Sequence, residues 1–154
     1  MKIAIASDHA GFKYKTVIVK EFREQGYDII DLGTTSESPT DYPDHAETIA
    51  LSILKGESGR GILICGSGVG VAVAANKFKG IRAGVCHDTY SAHQSVEHDD
   101  VNVLCIGERV IGIELAREII SAFIKAHYSN EPRHQKRLKK IFAIEEKNMK
   151  ESIL

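Results

Sequence analysis

Gly61-Ile62-Leu63-Ile64-Cys65-Gly66-Ser67-Gly68-Val69-Gly70 is an apolar run that stops at a cysteine and passes at once into alternating glycines. An unbroken apolar run of this length reads as a strand buried on both faces, as in a parallel sheet. The glycines supply a tight turn, and Val69–Phe78 after them reads as a helix. The same strand-then-helix step recurs along the chain. Lys2–Ala6, Tyr27–Leu32, Ile81–Cys86 and Asn102–Ile106 read as further strands, rich in Ile and Val. Phe12–Gln25 reads as a helix with Tyr14, Ile18 and Phe22 on one face and Gly26 as its stop. Asp44–Leu54, Thr89–Glu97 and Gly112–Ala126 read as helices too, the last with Ile113, Ala116, Ile120 and Phe123 as its stripe. Alternation of this kind predicts an α/β fold: an open, doubly wound, Rossmann-like sheet of five parallel strands with helices on both faces.

An extended C-terminal helix follows the last strand. Pro132 suits its first turn, and Arg133–Met149 carries Leu138, Ile141 and Phe142 as its apolar side. It has room to pack on its own domain or to reach a neighbouring subunit. The longest loop is Gly33–Pro43, a length at which loops often line a site. At 154 residues the chain is expected to form a single domain, 1–154, with a core that needs neither disulfides nor metal.

Bulk properties exclude several classes. A net charge of −1 gives no ground for binding nucleic acid or an anionic membrane. No apolar run approaches the roughly 20 residues of a membrane span. Cys65, Cys86 and Cys105 are an odd set without a CxxC pair, a poor disulfide or zinc framework that fits a reducing compartment. The first strand begins too abruptly for a signal peptide. The expected location is the cytoplasm.

Chemistry collects where the strands end. Ser7-Asp8-His9-Ala10-Gly11 follows the first strand, Gly66-Ser67-Gly68-Val69-Gly70 the third and His87-Asp88 the fourth, so all three open on one sheet edge. The glycine loop matches neither a P-loop nor the dinucleotide fingerprint, since position 71 is Val. It is either a plain packing turn or a cradle for a phosphate or an oxyanion. Cys65 stands directly before it. A helix N-terminus favours the thiolate, the reactive form of cysteine; a free cysteine is otherwise a small buried hydrophobe. His9 and His98 are candidate acids or bases. A metal role for His9, His87, His98 and their neighbouring aspartates is disfavoured by the lack of compact ligand spacing. Arg133 and Arg137 share a helix face, and Arg109 follows the fifth strand; a fork of arginines suits a phosphate dianion. The plain alternative for Arg133–Lys140 is a solvated basic face.

These residues carry a resemblance. Ser7–Phe12, Asp41-Tyr42-Pro43, Gly61–Gly70, Ala74-Ala75-Asn76-Lys77, Gly80-Ile81-Arg82-Ala83, Asn102-Val103-Leu104, Gly107–Gly112, Arg133-His134 and Arg137 are similar to the type B ribose-5-phosphate isomerases. That family also includes the galactose-6-phosphate isomerase subunits. The resemblance implies an aldose–ketose isomerase of the pentose phosphate pathway, using no cofactor and no metal, acting on a small-molecule sugar phosphate. It implies a homodimer or homotetramer with sites at the subunit interface.

It also implies roles. Cys65 resembles the base that moves a proton between C2 and C1. Ser67 and the backbone of Gly66, Gly68, Val69 and Gly70 resemble the hole for the cis-enediolate. His98 resembles the ring opener. His9, Arg109, Arg133 and Arg137 resemble the phosphate ligands, and Asp8 lies beside the sugar hydroxyls. Ser67 stands where many members have Thr, and Asp99, a further substrate-side position, where many have Asn. Val71 stands where some relatives place a glutamate base, which favours Cys65. His98 favours ribose over a galactose-6-phosphate isomerase subunit. The competing expectations are an isomerase of another aldose phosphate such as allose 6-phosphate, a non-catalytic sugar-phosphate binder, and a metallohydrolase.

Overall fold

A computed structural model of the chain describes residues 1–149. Strands β1 (Ile3–Ser7), β2 (Ile29–Asp31), β3 (Arg60–Cys65), β4 (Ala83–Val85) and β5 (Val103–Gly107) form one sheet in the order β2-β1-β3-β5-β4. Every pairing is parallel. The connections are α1 (Phe12–Glu24), α2 (Tyr42–Leu54), α3 (Val69–Ala75) and α4 (Thr89–Asp99), with α5 (Ile113–Lys125) and α6 (Pro132–Asn148) after the last strand. The chain winds from β1 outward to β2, then returns to β3 on the other side of β1. The sheet is therefore doubly wound, and its switch point lies between β1 and β3.

Side-chain alternation along the strands builds two cores. Ile3, Ile5, Ile62, Ile64, Leu104 and Ile106 pack under α1, α4 and α5 with Ile18, Phe22, Ile120 and Phe123. The opposite face carries Ala4, Ala6, Leu63, Cys65, Val103 and Cys105 against α2 and α3. The alternation of Ile and Ala in β1 thus sorts large side chains to one layer and small ones to the other. The small residues leave room for α2 to lie close, with Ala46 and Ala50 fully buried.

The observed elements differ from expectation mainly at their ends. α3 stops at Ala75, not Phe78. Asn76 turns its amide onto β4, donating to the Ala83 carbonyl at 2.9 Å and accepting the Ala83 N–H at 2.8 Å. A side chain that pairs with a neighbouring backbone in this way competes with helix continuation. The edge strands β2 and β4 keep only three residues each. β4 starts late because the Arg82 N–H donates to Asn102 Oδ1, a side chain standing in for a ladder partner. α2 begins at Tyr42, two residues early, with Pro43 in its first turn.

The apolar side of α6 is only partly covered. Leu138 is buried, but Ile141 and Phe142 remain 39% and 41% exposed. Phe142 lies under the Arg82 guanidinium at 5.3 Å, and Glu145 accepts the Gly80 N–H at 2.8 Å. α6 thus touches its own domain without burying its whole stripe. Among the described residues no helix is long and apolar enough to cross a membrane.

Candidate active site

Because all five strands run the same way, Asp8 and His9 after β1, Gly66 after β3 and Arg109 after β5 emerge at one edge. A cavity of about 420 Å³ opens there, lined by Asp8, His9, Tyr42, Cys65, Ser67 and Arg109 among others. It sits at the switch point, where the chains leaving β1 and β3 diverge and leave a crevice.

Cys65 is the last residue of β3 and is 5% exposed. Gly68 N–H donates to its sulfur at 3.0 Å. Gly68 has φ +79°, and a side chain there would fall 2.9 Å from the Ile106 carbonyl carbon. Only glycine can turn the backbone so that this amide faces the sulfur. An amide aimed at sulfur supports negative charge on it. Ser67 is exposed at the tip of the loop, where its hydroxyl accepts the Val69 N–H at 3.2 Å.

The turn after β5 is stitched to this loop. Glu108 N–H donates to the Cys65 carbonyl at 2.9 Å and Arg109 N–H to the Gly66 carbonyl at 3.0 Å. A Cβ at Gly107 would meet the Ser67 carbonyl carbon at 2.6 Å, so the two turns are in backbone contact. Glu108 turns back to accept the Tyr14 N–H in α1 at 3.1 Å. Burial pushes its carboxyl above the ordinary range, against the pull of that amide, Lys13 and Arg109. Burial likewise pushes the other two thiols, Cys86 and Cys105, up.

On the β1 side, Asp8 Oδ1 accepts the N–H groups of Ala10 and Gly11 at 2.9 and 3.2 Å. His9 Nδ1 lies 3.2 Å from the Thr40 nitrogen and 3.3 Å from the Thr40 carbonyl oxygen. The Thr40 hydroxyl meets His45 Nε2 at 3.0 Å. Burial lowers the His45 pKa, against the attraction of Asp8 and Asp44. The Gly33–Pro43 loop does reach the site, held to β1 by Ser7 N–H to the Gly33 carbonyl and Thr34 N–H to the Ser7 carbonyl.

The remaining candidates lie elsewhere in the chain. α4 leaves the sheet at the carboxyl edge and ends at the opposite one, so His98 and Asp99 in its last turn are far down the domain. The His98 ring stacks on His134 of α6 at 4.0 Å, and its Nδ1 meets Gln94 Nε2 at 2.9 Å. Arg133 and Arg137 are exposed on α6, Arg133 against Glu131 at 2.8 Å. None of these four lines the cavity. His134 is buried, its Nδ1 2.5 Å from Ser129 Oγ. Burial and the nearby His98, Arg133 and Arg137 charges lower its pKa. One chain therefore assembles Asp8, His9, the loop 65–70 and Arg109, and holds His98, Asp99, Arg133 and Arg137 in a second group.

The sequence reading gives no role to Tyr42, Thr40, Glu108 or Gly107. Tyr42 packs its ring over the glycine loop, where a side chain at Gly70 would touch it at 3.0 Å. Asp41-Tyr42-Pro43 and Gly107-Glu108-Arg109 were visible as motifs, but their contacts are tertiary. Among the described residues no group of three or more His, Cys, Asp or Glu side chains is arranged to hold a metal.

A thiol at the switch point of a doubly wound sheet, fed by a backbone amide and facing a rim of histidine and arginine, defines an α/β domain with a small-molecule site suited to an anionic ligand. The chain belongs to the ribose/galactose isomerase family, whose model matches residues 3–141. It is 51% identical over 146 residues to ribose-5-phosphate isomerase B of Escherichia coli, covering 95% of this chain and 97% of that one. The structure of Clostridium thermocellum ribose-5-phosphate isomerase B superposes with a TM-score of 0.92 at 46% identity, over 96% of this chain and 99% of the other. Ribose-5-phosphate isomerase B from Mycoplasma genitalium, solved with bound ribulose-5-phosphate, gives 0.89 at 37% identity, over 96% and 97%.

Proposed function

We propose that the chain is an aldose–ketose isomerase that interconverts ribose 5-phosphate and ribulose 5-phosphate. Family membership and the near full-length match to isomerases of that name support the reaction. The observation that carries the chemistry is the Gly68 N–H on Cys65 Sγ at the switch point.

In this reading the Cys65 thiolate takes the proton from C2 of the open-chain aldose. The electron pair moves through C1–C2 onto O1, giving a cis-enediolate. Returning the proton to C1 and moving one from O2 to O1 completes the ketose. Ser67 and the amides of the Gly66–Gly70 loop receive the developing oxyanion, the largest electrostatic contribution such sites make. Asp8 holds sugar hydroxyls. His9 and Arg109 take the phosphate, whose binding energy positions C1 and C2.

His98 opens the ring, and Asp99, Arg133 and Arg137 complete the pocket, from a second subunit. Their separation from Cys65 within one chain supports an assembly with shared sites, a homodimer or a tetramer built from it. The uncovered Ile141 and Phe142, the exposed Val69 and Val73 of α3, and Val110 at the cavity support a subunit surface. A cytoplasmic location goes with the same reading.

The test is the rate of ribulose 5-phosphate formation from ribose 5-phosphate with EDTA present. Turnover is expected. Inactivity on ribose 5-phosphate, with turnover of allose 6-phosphate, would reassign the substrate; inactivity on both would leave a binding protein.

A further inference from the structure

β5 lies between β3 and β4, so each of its peptide groups faces one or the other. On the β4 side the last backbone rung is Cys86 N–H to the Cys105 carbonyl at 3.2 Å. Beyond it β4 turns away: Asp88 has extended backbone and caps α4, accepting the Ser91 N–H at 2.7 Å. The next β5 amide toward β4, Gly107 N–H, has lost its strand partner. A buried amide without an acceptor costs about 1–3 kcal/mol. Here it donates to the Nε2 atom of His87 at 2.9 Å. The imidazole does what the next strand residue would have done.

This bond fixes a tautomer. A nitrogen that accepts carries no proton, so neutral His87 bears its hydrogen on Nδ1. It also reaches the site through a short path. Gly107 pairs with Cys65 in the β3–β5 register. Its backbone abuts Ser67, and the residues after it donate to the Cys65 and Gly66 carbonyls. Gly107 is pinned on one side by the Cys65–Ser67 backbone and on the other by His87. Releasing the second pin frees the turn that carries Arg109 and forms the back wall of the glycine loop.

We propose that His87 is a positioning residue for the isomerase site: its neutral imidazole accepts the Gly107 N–H and thereby holds the Gly107–Arg109 turn against the loop that carries Cys65 and Ser67. The proposal rests on the isomerase reading for its effect on turnover, but the bond itself does not. His87 lines no part of the cavity and acts only through Gly107.

The test compares His87→Leu, which has no acceptor, with His87→Gln, whose carbonyl oxygen reaches a similar place. In wild type, the nitrogen NMR spectrum of His87 is expected to show an unprotonated Nε2 and a protonated Nδ1. In His87→Leu, hydrogen exchange at Gly107 rises by at least about tenfold and kcat falls by about tenfold or more. In His87→Gln, both return to within about threefold of wild type. A protonated Nε2 in wild type overturns the proposal, whatever the activity. So does a His87→Leu protein with wild-type Gly107 exchange, or a folded His87→Gln protein as impaired as His87→Leu. If His87→Leu fails to fold, the nitrogen spectrum and His87→Gln still decide. An inactive wild-type protein with the expected spectrum and exchange would sink the isomerase reading alone.

Discussion

The Gly68 N–H points at the sulfur of Cys65 from 3.0 Å, so the turn that starts α3 also holds the thiol in the wall of the cavity. The geometry exists because Gly68 adopts a left-handed conformation against the backbone of β5. That contact supports the proposed proton-transfer role, which meets its first trial in the thiol itself. Cys65→Ala is expected to lower kcat by about 10³-fold or more, since a proton-transfer group commonly contributes 10²–10⁴. Binding of ribulose 5-phosphate, followed by calorimetry, should change only a few-fold. Near-normal turnover would remove Cys65 from the mechanism.

Sharing of sites between subunits has a signature in mixtures. Cys65→Ala and Arg137→Ala are each expected to be nearly inactive at low substrate. In a hybrid dimer one site collects both defects and the other collects neither. Unfolding and refolding the two together should therefore restore roughly a quarter of wild-type activity, as symmetric pairing at random dictates. No recovery, with hybrids shown to form, would place the whole site within one chain.

Arg109 sits in the same cavity as Cys65 and is exposed. If it holds phosphate equally in ground and transition states, Arg109→Ala raises KM by about tenfold or more and changes kcat little. A fall in kcat at unchanged KM would assign it to the reacting end of the sugar instead.

The Gly107–Ser67 contact leaves no room for a methyl group. A Cβ at 107 would come within 2.6 Å of the Ser67 carbonyl carbon and 2.8 Å of the Gly66 oxygen, both backbone atoms. Gly107→Ala is expected to cost about 1–3 kcal/mol of stability, the usual range for forcing backbone shifts. Urea unfolding measures it. A wild-type midpoint together with wild-type turnover would show that the turn is looser than this contact requires.

His45 and His134 both have pKa values lowered chiefly by burial. Unfolded imidazoles take up protons near about 6.5, and the folded chain resists this, so below that pH the unfolded state binds more protons. Stability rises with pH in that window and is lost as pH falls through it. Glu108 acts in the opposite sense at lower pH, because its raised carboxyl favours the folded state while it is protonated. The informative comparison is therefore with a variant. Thermal unfolding of His134→Asn should fall less steeply than wild type as pH drops below about 6.5. Parallel curves would mean that His134 is protonated without cost in the folded chain.

What the sequence determined by itself was the class of fold and the sheet edge at which Asp8, His9, Cys65 and Arg109 gather. Apolar runs of strand length are buried on both faces whatever surrounds them, so β1, β3 and β5 were legible almost to the residue. Glycines at 66, 68 and 70 directly after Cys65 mark a backbone turn at a strand end, and parallel strands bring all such ends together. Local signals also placed Gly26 and Pro132 correctly, because their constraints act within one turn. Edge strands and helix ends were less legible. β4 and α3 are cut short by Asn76 and Asn102, whose amides choose backbone partners that only the folded sheet supplies. The division of the candidate residues into two groups was decided by tertiary structure alone. The sequence lists His98 and Arg137 as readily as His9 and Arg109. The direction of α4 and the docking of α6 on it carry the first pair away from Cys65. The roles of Thr40, Glu108 and His87 were decided at the same level. Each takes its meaning from hydrogen bonds to a segment distant along the chain, and no periodicity or motif encodes which distant group will be left without a partner.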